Sequence, residues 1–375
     1  MSNVFNVRSP RYIKVASDPL SSVRLDLYIW TGLSSGRPAS PNYTITKQEL
    51  NNDNFVVWEV AELIRDFIYT EYYDEAVDCL WIQYSTTIDG GSPTFPAASL
   101  AIDGFGYFEE GMNPRNSTDP TQASYTPQLL QDNEVMYFIK GQDLRIPIFA
   151  EPESIISFTI GGAAVYWDAV NEYWETYDVS WALGITTITI NDNGNSNQKI
   201  QYVNITDTEN LSDGDVISII SQNGNAQSNN IVLKEICTPK YTPIRVIFYN
   251  KYGALQDVWF DKKSIQSLST TSESYKANII DYAGFSYNVN KHSVKRYNVE
   301  AKESITLNTG LIVEDLNEPI KQLLMSEQVW IDNGTNVFPV IIKSSSLQEK
   351  TSVNDKMIQY TLEFDYAFDK IQNIR

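Results

Sequence analysis

The chain holds one histidine, His292, and two cysteines, Cys79 and Cys237, and these three residues bound most of the nucleophilic and metal chemistry open to it. An HExxH zinc site needs two histidines, and finger-type sites need more Cys and His ligands than the sequence contains. His292 sits in YNVNKHSVKRYN, a polar stretch that reads as an exposed turn between strands. No GxSxG elbow accompanies it, so a Ser-His-Asp triad finds no support. The most glycine-rich stretch, GFGYFEEG from Gly104 to Gly111, lacks the Lys-Ser/Thr of a phosphate loop and does not fit the dinucleotide spacing. No catalytic, cofactor-binding or metal-ligating residue is assigned, and no cofactor is expected.

Glycoside hydrolysis asks for less, two acids beside an aromatic cleft. Glu71, Asp74, Glu75 and Asp78 surround Tyr72 and Tyr73, and Glu172 and Glu175 stand among aromatic residues. With 47 Asp+Glu in the chain, neighbouring carboxylates arise by chance, and a solvated acidic face explains them more simply than a catalytic pair. The run VYWDAVNEYWETYDVSW suits a glycan platform in which Trp167, Tyr173, Trp174, Tyr177 and Trp181 stack on sugar rings. It suits equally a meander that packs its rings inward or against another subunit, and packing is the simpler reading. Two loops, Asn191 to Asn197 and Asp207 to Asp215, offer oxygen ligands for calcium, but neither matches the DxDxDG pattern with a distal Glu, and turn chemistry accounts for both.

The elements that must position these residues are mostly strands. Hydrophobic residues at 42%, with 8 Trp, 23 Tyr and 15 Phe, are too many for a disordered chain, so 375 residues imply two or three globular domains. Period-two alternation marks SVRLDLYIW, with Val23, Leu25, Leu27 and Ile29 on one side, and YTLEFDYAFDK, with Tyr360, Leu362, Phe364, Tyr366 and Phe368 on one side. RVIFYNKYGALQDVWF reads as a hairpin turning at Asn250 to Gly253. TTITI, KIQYVNI, DVISII and NNIVLKEI read as short strands between Asn/Asp/Gly turns. Two helices are predicted. One covers about 57–69, with Val60, Leu63, Ile64, Phe67 and Ile68 facing a sheet; the other covers about 317–327, with Asn317 as its cap. The expected fold is mainly β, two or three β-sandwich or barrel-like domains with two short covering helices.

Charge divides the chain near residue 240. Of 28 Lys+Arg and 47 Asp+Glu, residues 241–375 hold 15 and 16, so residues 1–240 carry −18 of the total −19. The predicted domains are 1–150, a β domain with one helix; 151–240, a small all-β, Asn-rich region that reads as an insertion; and 241–375, a β domain with one helix. Such acidity repels a phosphate backbone, so no sequence-specific nucleic-acid partner is expected. No apolar run approaches the ~18 residues of a membrane span, and MSNVFNVRSPRYIKV lacks a signal-peptide core. Two free thiols in a reducing compartment are expected.

FYNKYGALQDVWFDKKSI, then LNEPIKQLLMSEQVWI and the ending PVIIKSSSLQEKTSVNDKMIQYTLEFDYAFDKIQNIR, resemble structural proteins of tailed phages infecting Bacteroidota, crAss-like phages included. The resemblance spans about 241–375, with weaker support from TGLSSGRPASPNYTITK and VVWEVAELIRDFI. It implies a non-enzymatic virion subunit of the neck or tail, assembled in the host cytoplasm with copies of itself in a ring. Its neighbours would be other virion proteins: portal or neck, tail tube, hub or baseplate. On that reading, assembly is expected through edge strands of the C-terminal domain and through the hairpin residues Tyr252, Gly253, Trp259 and Phe260. The competing expectation is a virion-borne module that binds host glycan through 167–181.

Overall fold

The computed structural model describes residues 4–32, 35–50, 53–69, 72, 79–111, 128–149, 155–160, 163–167, 179–181, 186–189, 200–205, 208–221, 230–237, 239–344 and 357–371. The chain is mainly β, with two α-helices and several sheets among the described residues. It separates into two compact units. The first takes in Met1–Cys237, Tyr249–Asp257 and Glu318–Leu323; the second takes in Thr238–Phe248, Val258–Asn317 and Leu324–Arg375. Among the described residues no helix is long and apolar enough to cross a membrane.

The first unit is built on a five-stranded sheet in the order Val4–Asn6, Ser99–Ile102, Cys79–Ile88, Ser22–Trp30, Tyr43–Gln48. On one face Val23, Leu25, Leu27 and Ile29 pack against Trp58 and Ile64, with all six side chains buried. That cover comes from the strand pair Tyr12–Ala16 and Phe55–Glu59 and from the helix Ala61–Arg65. The opposite face has two halves. Tyr28, Trp30, Trp81 and Leu100 enter a second core with Leu130 and Ile200, whereas Arg24 and Thr87 stay outside it.

The helix predicted over 57–69 is shorter than its apolar stripe suggests. Phe55–Glu59 is a strand in which Val56 and Trp58 point inward, and only Ala61–Arg65 is helical. β-Branched and aromatic residues at alternate positions fit a pleated, half-covered strand, and pairing with Tyr12–Ala16 supplies the backbone partners. The boundary drawn at 150 is likewise not a break. Leu144–Phe149 pairs residue by residue with Ile200–Ile205, and Val135–Phe138 pairs in parallel with Ile231–Glu235, so the ladders cross it. The middle strands form as read: Thr186–Thr189, Ile200–Ile205, Val216–Ser221 and Ile231–Glu235.

The second unit is built on a seven-stranded sheet: Leu255–Phe260, Ile244–Tyr249, Val329–Asp332, Val337–Ile342, Thr361–Tyr366, Val294–Asn308 and, at the edge, Ile265–Lys276. Phe248, Phe260 and Phe364 lie at its centre, Phe260 meeting Phe364 edge to face at 6.2 Å between ring centres. The C-terminal strand keeps its alternation at Tyr360, Leu362 and Phe364, then emerges, leaving Phe368 exposed. The second predicted helix forms over Asn317–Met325, burying Ile320 and Leu323. Asn317 is its first residue, with helical backbone angles. A 3-10 turn over Glu314–Leu316 runs directly into the helix, and Asn317 Oδ1 accepts a hydrogen bond from the Tyr360 hydroxyl.

Candidate assembly interface

The edge of the second unit's sheet leaves its core. Ile265–Lys276 pairs antiparallel with Val294–Asn308 along its whole length, with a bulge between Thr271 and Glu273. Ser304 to Asn308 of the inner strand pair on the far side with Thr361 to Asp365, and the Lys370 N–H donates to the Ala301 carbonyl at 2.9 Å, so among the described residues the pair continues as a two-stranded ribbon from Glu300 outward. Twelve residues at about 3.4 Å each make the outer strand about 40 Å long. From residue 265 to 300 every residue is exposed except Ser272, Ala277 and Ile279, which are half-buried.

The ribbon's composition does not suit water. Ile265, Leu268, Ile280, Tyr282, Phe285, Tyr287, Val289 and Val294 are each at least half exposed, Phe285 at 94% and Val289 at 83%. The tip is nevertheless organised. Ile280–Asp281 pairs with Ser286–Tyr287, Asn278 Nδ2 donates to the Tyr282 hydroxyl at 2.6 Å, and the Ala277 N–H donates to the Ser293 carbonyl at 2.8 Å. Phe285 holds a φ of +44°, unfavourable for a bulky side chain, while its ring projects into solvent. Along the stem Tyr275 and Tyr297 meet edge to face at 5.7 Å, and a hydrogen bond to Glu273 raises the Tyr297 phenol above its ordinary pKa. Isolated two-stranded ribbons are marginal in water. Large apolar side chains on one make it a candidate interaction surface.

The hairpin residues expected to dock on another copy face inward instead. Trp259 lies under the Arg245 guanidinium, 4.7 Å from its ring centre, and Phe260 is in the core. Gly253 has φ +71°, and a Cβ there would stand 2.6 Å from the Asp103 carbonyl group, so the turn is pressed onto backbone. Tyr252 is half-buried and donates its hydroxyl to Asp132. Trp259 and Phe260 thus fill their own fold, while Tyr252 keeps part of its surface open.

The turn is held by a polar network inside the first unit. Asn250, fully buried, donates from Nδ2 to the Leu130 carbonyl at 2.6 Å and to Gln256 Oε1 at 3.1 Å, and its Oδ1 accepts from the Tyr252 and Ala254 N–H groups. Gln322 Nε2 donates to Asp132 at 2.6 Å while its Oε1 accepts from the Lys251 N–H at 3.0 Å. Tyr107 donates to Glu318, and Lys251 pairs with Glu110 at 2.7 Å. Burial first, then the Asp132 and Glu318 carboxylates, drive the Tyr252 and Tyr107 phenols well above their ordinary pKa. The glycine-rich stretch serves the same packing: a Cβ on Gly104 would lie 2.6 Å from the Lys251 carbonyl oxygen.

Of the aromatic stretch, Trp167 ends the strand Ala163–Trp167 and Trp181 ends Val179–Trp181; the two strands pair, Trp167 opposite Val179 and Val165 opposite Trp181. Tyr173, Trp174 and Tyr177 lie outside the described residues, as do Glu172, Glu175 and the loop from Asn191 to Asn197. In the second acidic loop Asp213 and Asp215 accept backbone N–H bonds from Glu235 and Ser212, which is turn chemistry. Among the described residues no group of three or more His, Cys, Asp or Glu is placed to hold a metal. Cys79 is buried, Cys237 is exposed, and among the described residues neither forms a disulfide.

The sequence points to edge strands of the C-terminal domain but not to the length or exposure of this ribbon. Its one signal was the basic group Lys291, Lys295 and Arg296, which sits with His292 on exposed positions around the tip.

No protein-family profile and no curated protein matches the chain. Among solved structures, the fibronectin(III)-like modules of Clostridium thermocellum CbhA overlap 64% of this chain and 93% of their own at 11% identity, with a TM-score of 0.17. CBD12 from CALX1.2 overlaps 59% of this chain and 79% of its own at 9% identity, with a TM-score of 0.16. Overlaps at these scores establish no common fold.

Proposed function

We propose that this protein is a non-enzymatic assembly subunit, a ring-forming neck or tail component of a tailed bacteriophage that joins copies of itself through its β-ribbon. The observation that carries the assembly reading is the exposed ribbon of residues 265–300, with two strand edges unpaired among the described residues and a row of solvent-facing aromatic and aliphatic side chains. The phage context rests on the resemblance over 241–375.

A second copy of the chain is the occupant that charge favours. Residues 265–300 hold four Lys or Arg and three Asp or Glu, so the remainder of the chain carries −20. From Asn288 to Val299 there are three basic residues and no acid. A basic, apolar tip is attracted to an acidic body of the same sequence, while body repels body, which favours a head-to-tail contact of the kind that closes rings. Free ladder N–H and C=O groups along the ribbon add strand pairing to that attraction.

The test is light scattering on the full chain across a concentration series, beside a variant in which 277–293 is replaced by a two-residue Asn-Gly turn. The expected result is an oligomer of fixed number that becomes a monomer in the variant, with the far-UV spectrum of the sheets retained. Salt should weaken the oligomer. An oligomer unaffected by loss of the tip, or a wild-type monomer at every concentration, refutes the reading.

A further inference from the structure

The half of the first unit's sheet that the second core leaves uncovered holds a pocket. Register places its floor. Arg24 lies between Thr46 and Thr87, and one step along Asp26 lies between Thr44 and Ser85, all on the face opposite Leu25 and Leu27. The segment after Cys79–Ile88 turns back to make the rim, with Gly90, Gly91, Pro93 and Phe95 lining a cavity of about 480 Å³. That volume lies within the range of small-molecule sites.

The rim is fixed in place. Thr86 and Thr94 exchange backbone hydrogen bonds at 3.1 and 2.9 Å, and their hydroxyls meet at 2.8 Å. Asp89 accepts from the Ser22 N–H at 2.6 Å and returns its own N–H to the Ser22 carbonyl at 2.9 Å. The cavity is therefore preformed, and a ligand entering it would not have to order a loop.

Its polar groups are only partly used. Asp26 is buried, its side chain 10% exposed, and its Oδ1 accepts from Arg24 Nε at 2.9 Å and from the Thr44 hydroxyl at 2.6 Å. Among the described residues nothing donates to its other oxygen, Oδ2. The Ser85 hydroxyl, on the floor beside it and 1% exposed, has no hydrogen-bond partner among the described residues. The open carboxylate oxygen is free to accept from a bound group, and a buried hydroxyl without a partner is costly. Tyr28 and Phe95 give the cavity an apolar wall, with Arg37 stacked over both rings.

We infer that this pocket binds a neutral, polyhydroxylated ligand, one sugar ring of a glycan. The Asp26 carboxylate on the floor repels anions such as phosphate, and the Arg24 guanidinium opposes a cation. Asp26 and Arg24 balance each other on the floor, and with Arg37 over the wall rings the site both accepts and donates hydrogen bonds, which suits vicinal hydroxyls. Phe95 offers apolar surface to the C–H face of such a ring. The site belongs to the first unit and does not depend on the assembly reading, and its residues are not those of the aromatic stretch 167–181.

The test is saturation-transfer difference NMR on the full chain with D-glucose, D-galactose, D-mannose, L-fucose and N-acetyl-D-glucosamine. At least one sugar is expected to receive transfer from the wild type, and Asp26→Ala is expected to weaken its binding at least about tenfold, the loss of one hydrogen bond to a charged group. Because Asp26 is buried, the exposed Phe95→Ala and Arg24→Ser variants are measured beside it and are expected to weaken binding in folded protein. Trp167→Ala is expected to leave it unchanged. Absence of transfer to all five sugars overturns the inference. So does transfer that persists in Phe95→Ala and Arg24→Ser, or that Trp167→Ala abolishes.

Discussion

Replacing Asn250 by Ala should unfold the hairpin turn at a cost read directly from its bonds. The side chain is fully buried and makes four hydrogen bonds, donating to the Leu130 carbonyl and Gln256 Oε1 and accepting from the N–H groups of Tyr252 and Ala254. Alanine removes all four at once. A buried polar group left without its partner costs about 1–3 kcal/mol, and water entering the vacated space recovers part of it, so a loss of about 4 kcal/mol is expected for the first unit. Asn250→Asp is the informative companion. It retains the two acceptor bonds but sets a second oxygen against the Leu130 carbonyl and Gln256 Oε1. Gln256 cannot turn its amide to help without giving up the 2.9 Å bond that its Nε2 donates to Asn133. Asp should therefore be no better than Ala. The assay is urea unfolding followed by tryptophan fluorescence. An Asn250→Ala loss below about 1 kcal/mol, or an Asn250→Asp protein as stable as wild type, would refute the assignment of this network as the lock on the turn.

Two further outcomes follow from the same turn. Gly253→Ala combines a positive φ with a Cβ 2.6 Å from the Asp103 carbonyl, and should cost at least about 2 kcal/mol in the same unfolding assay, whereas an equal loss is not expected at Gly214, where a Cβ meets nothing within 4 Å. The second outcome concerns alkaline pH. Because the folded Tyr252 phenol is raised above its unfolded value near 10, its contribution is intact below pH 10 and is lost as pH rises above it, where the unfolded chain releases a proton that the folded chain keeps. Stability should fall by up to about 1.4 kcal/mol per pH unit for that group, and urea midpoints from pH 9.5 upward should fall less steeply in Tyr252→Phe. Parallel slopes for the two proteins would remove Tyr252 from the alkaline transition.

Much of the secondary structure was legible in the chain. Alternation in Ser22–Trp30 and Thr361–Tyr366 located strands and their inward residues, and the Asn250 to Gly253 reversal was readable because a positive φ falls on glycine. The segment 57–69 was misread because Val60, Ile64 and Ile68 suit a helical stripe while Val56 and Trp58 suit a strand, and pairing with Tyr12–Ala16 decided between them.

What tertiary structure alone decided is which apolar surfaces remain open. Burial of apolar area is non-directional, and alternation identifies two faces of a strand without saying which of them another layer will cover. Trp259 and Phe260 have the residue types of interface anchors and lie inside, whereas Tyr282, Phe285 and Tyr287, aromatic like them, lie in solvent because among the described residues no second layer follows the ribbon out of its sheet. The pocket was equally hidden. Asp26 and Ser85 are 59 positions apart, and only the register of two antiparallel strands makes them neighbours on one uncovered face.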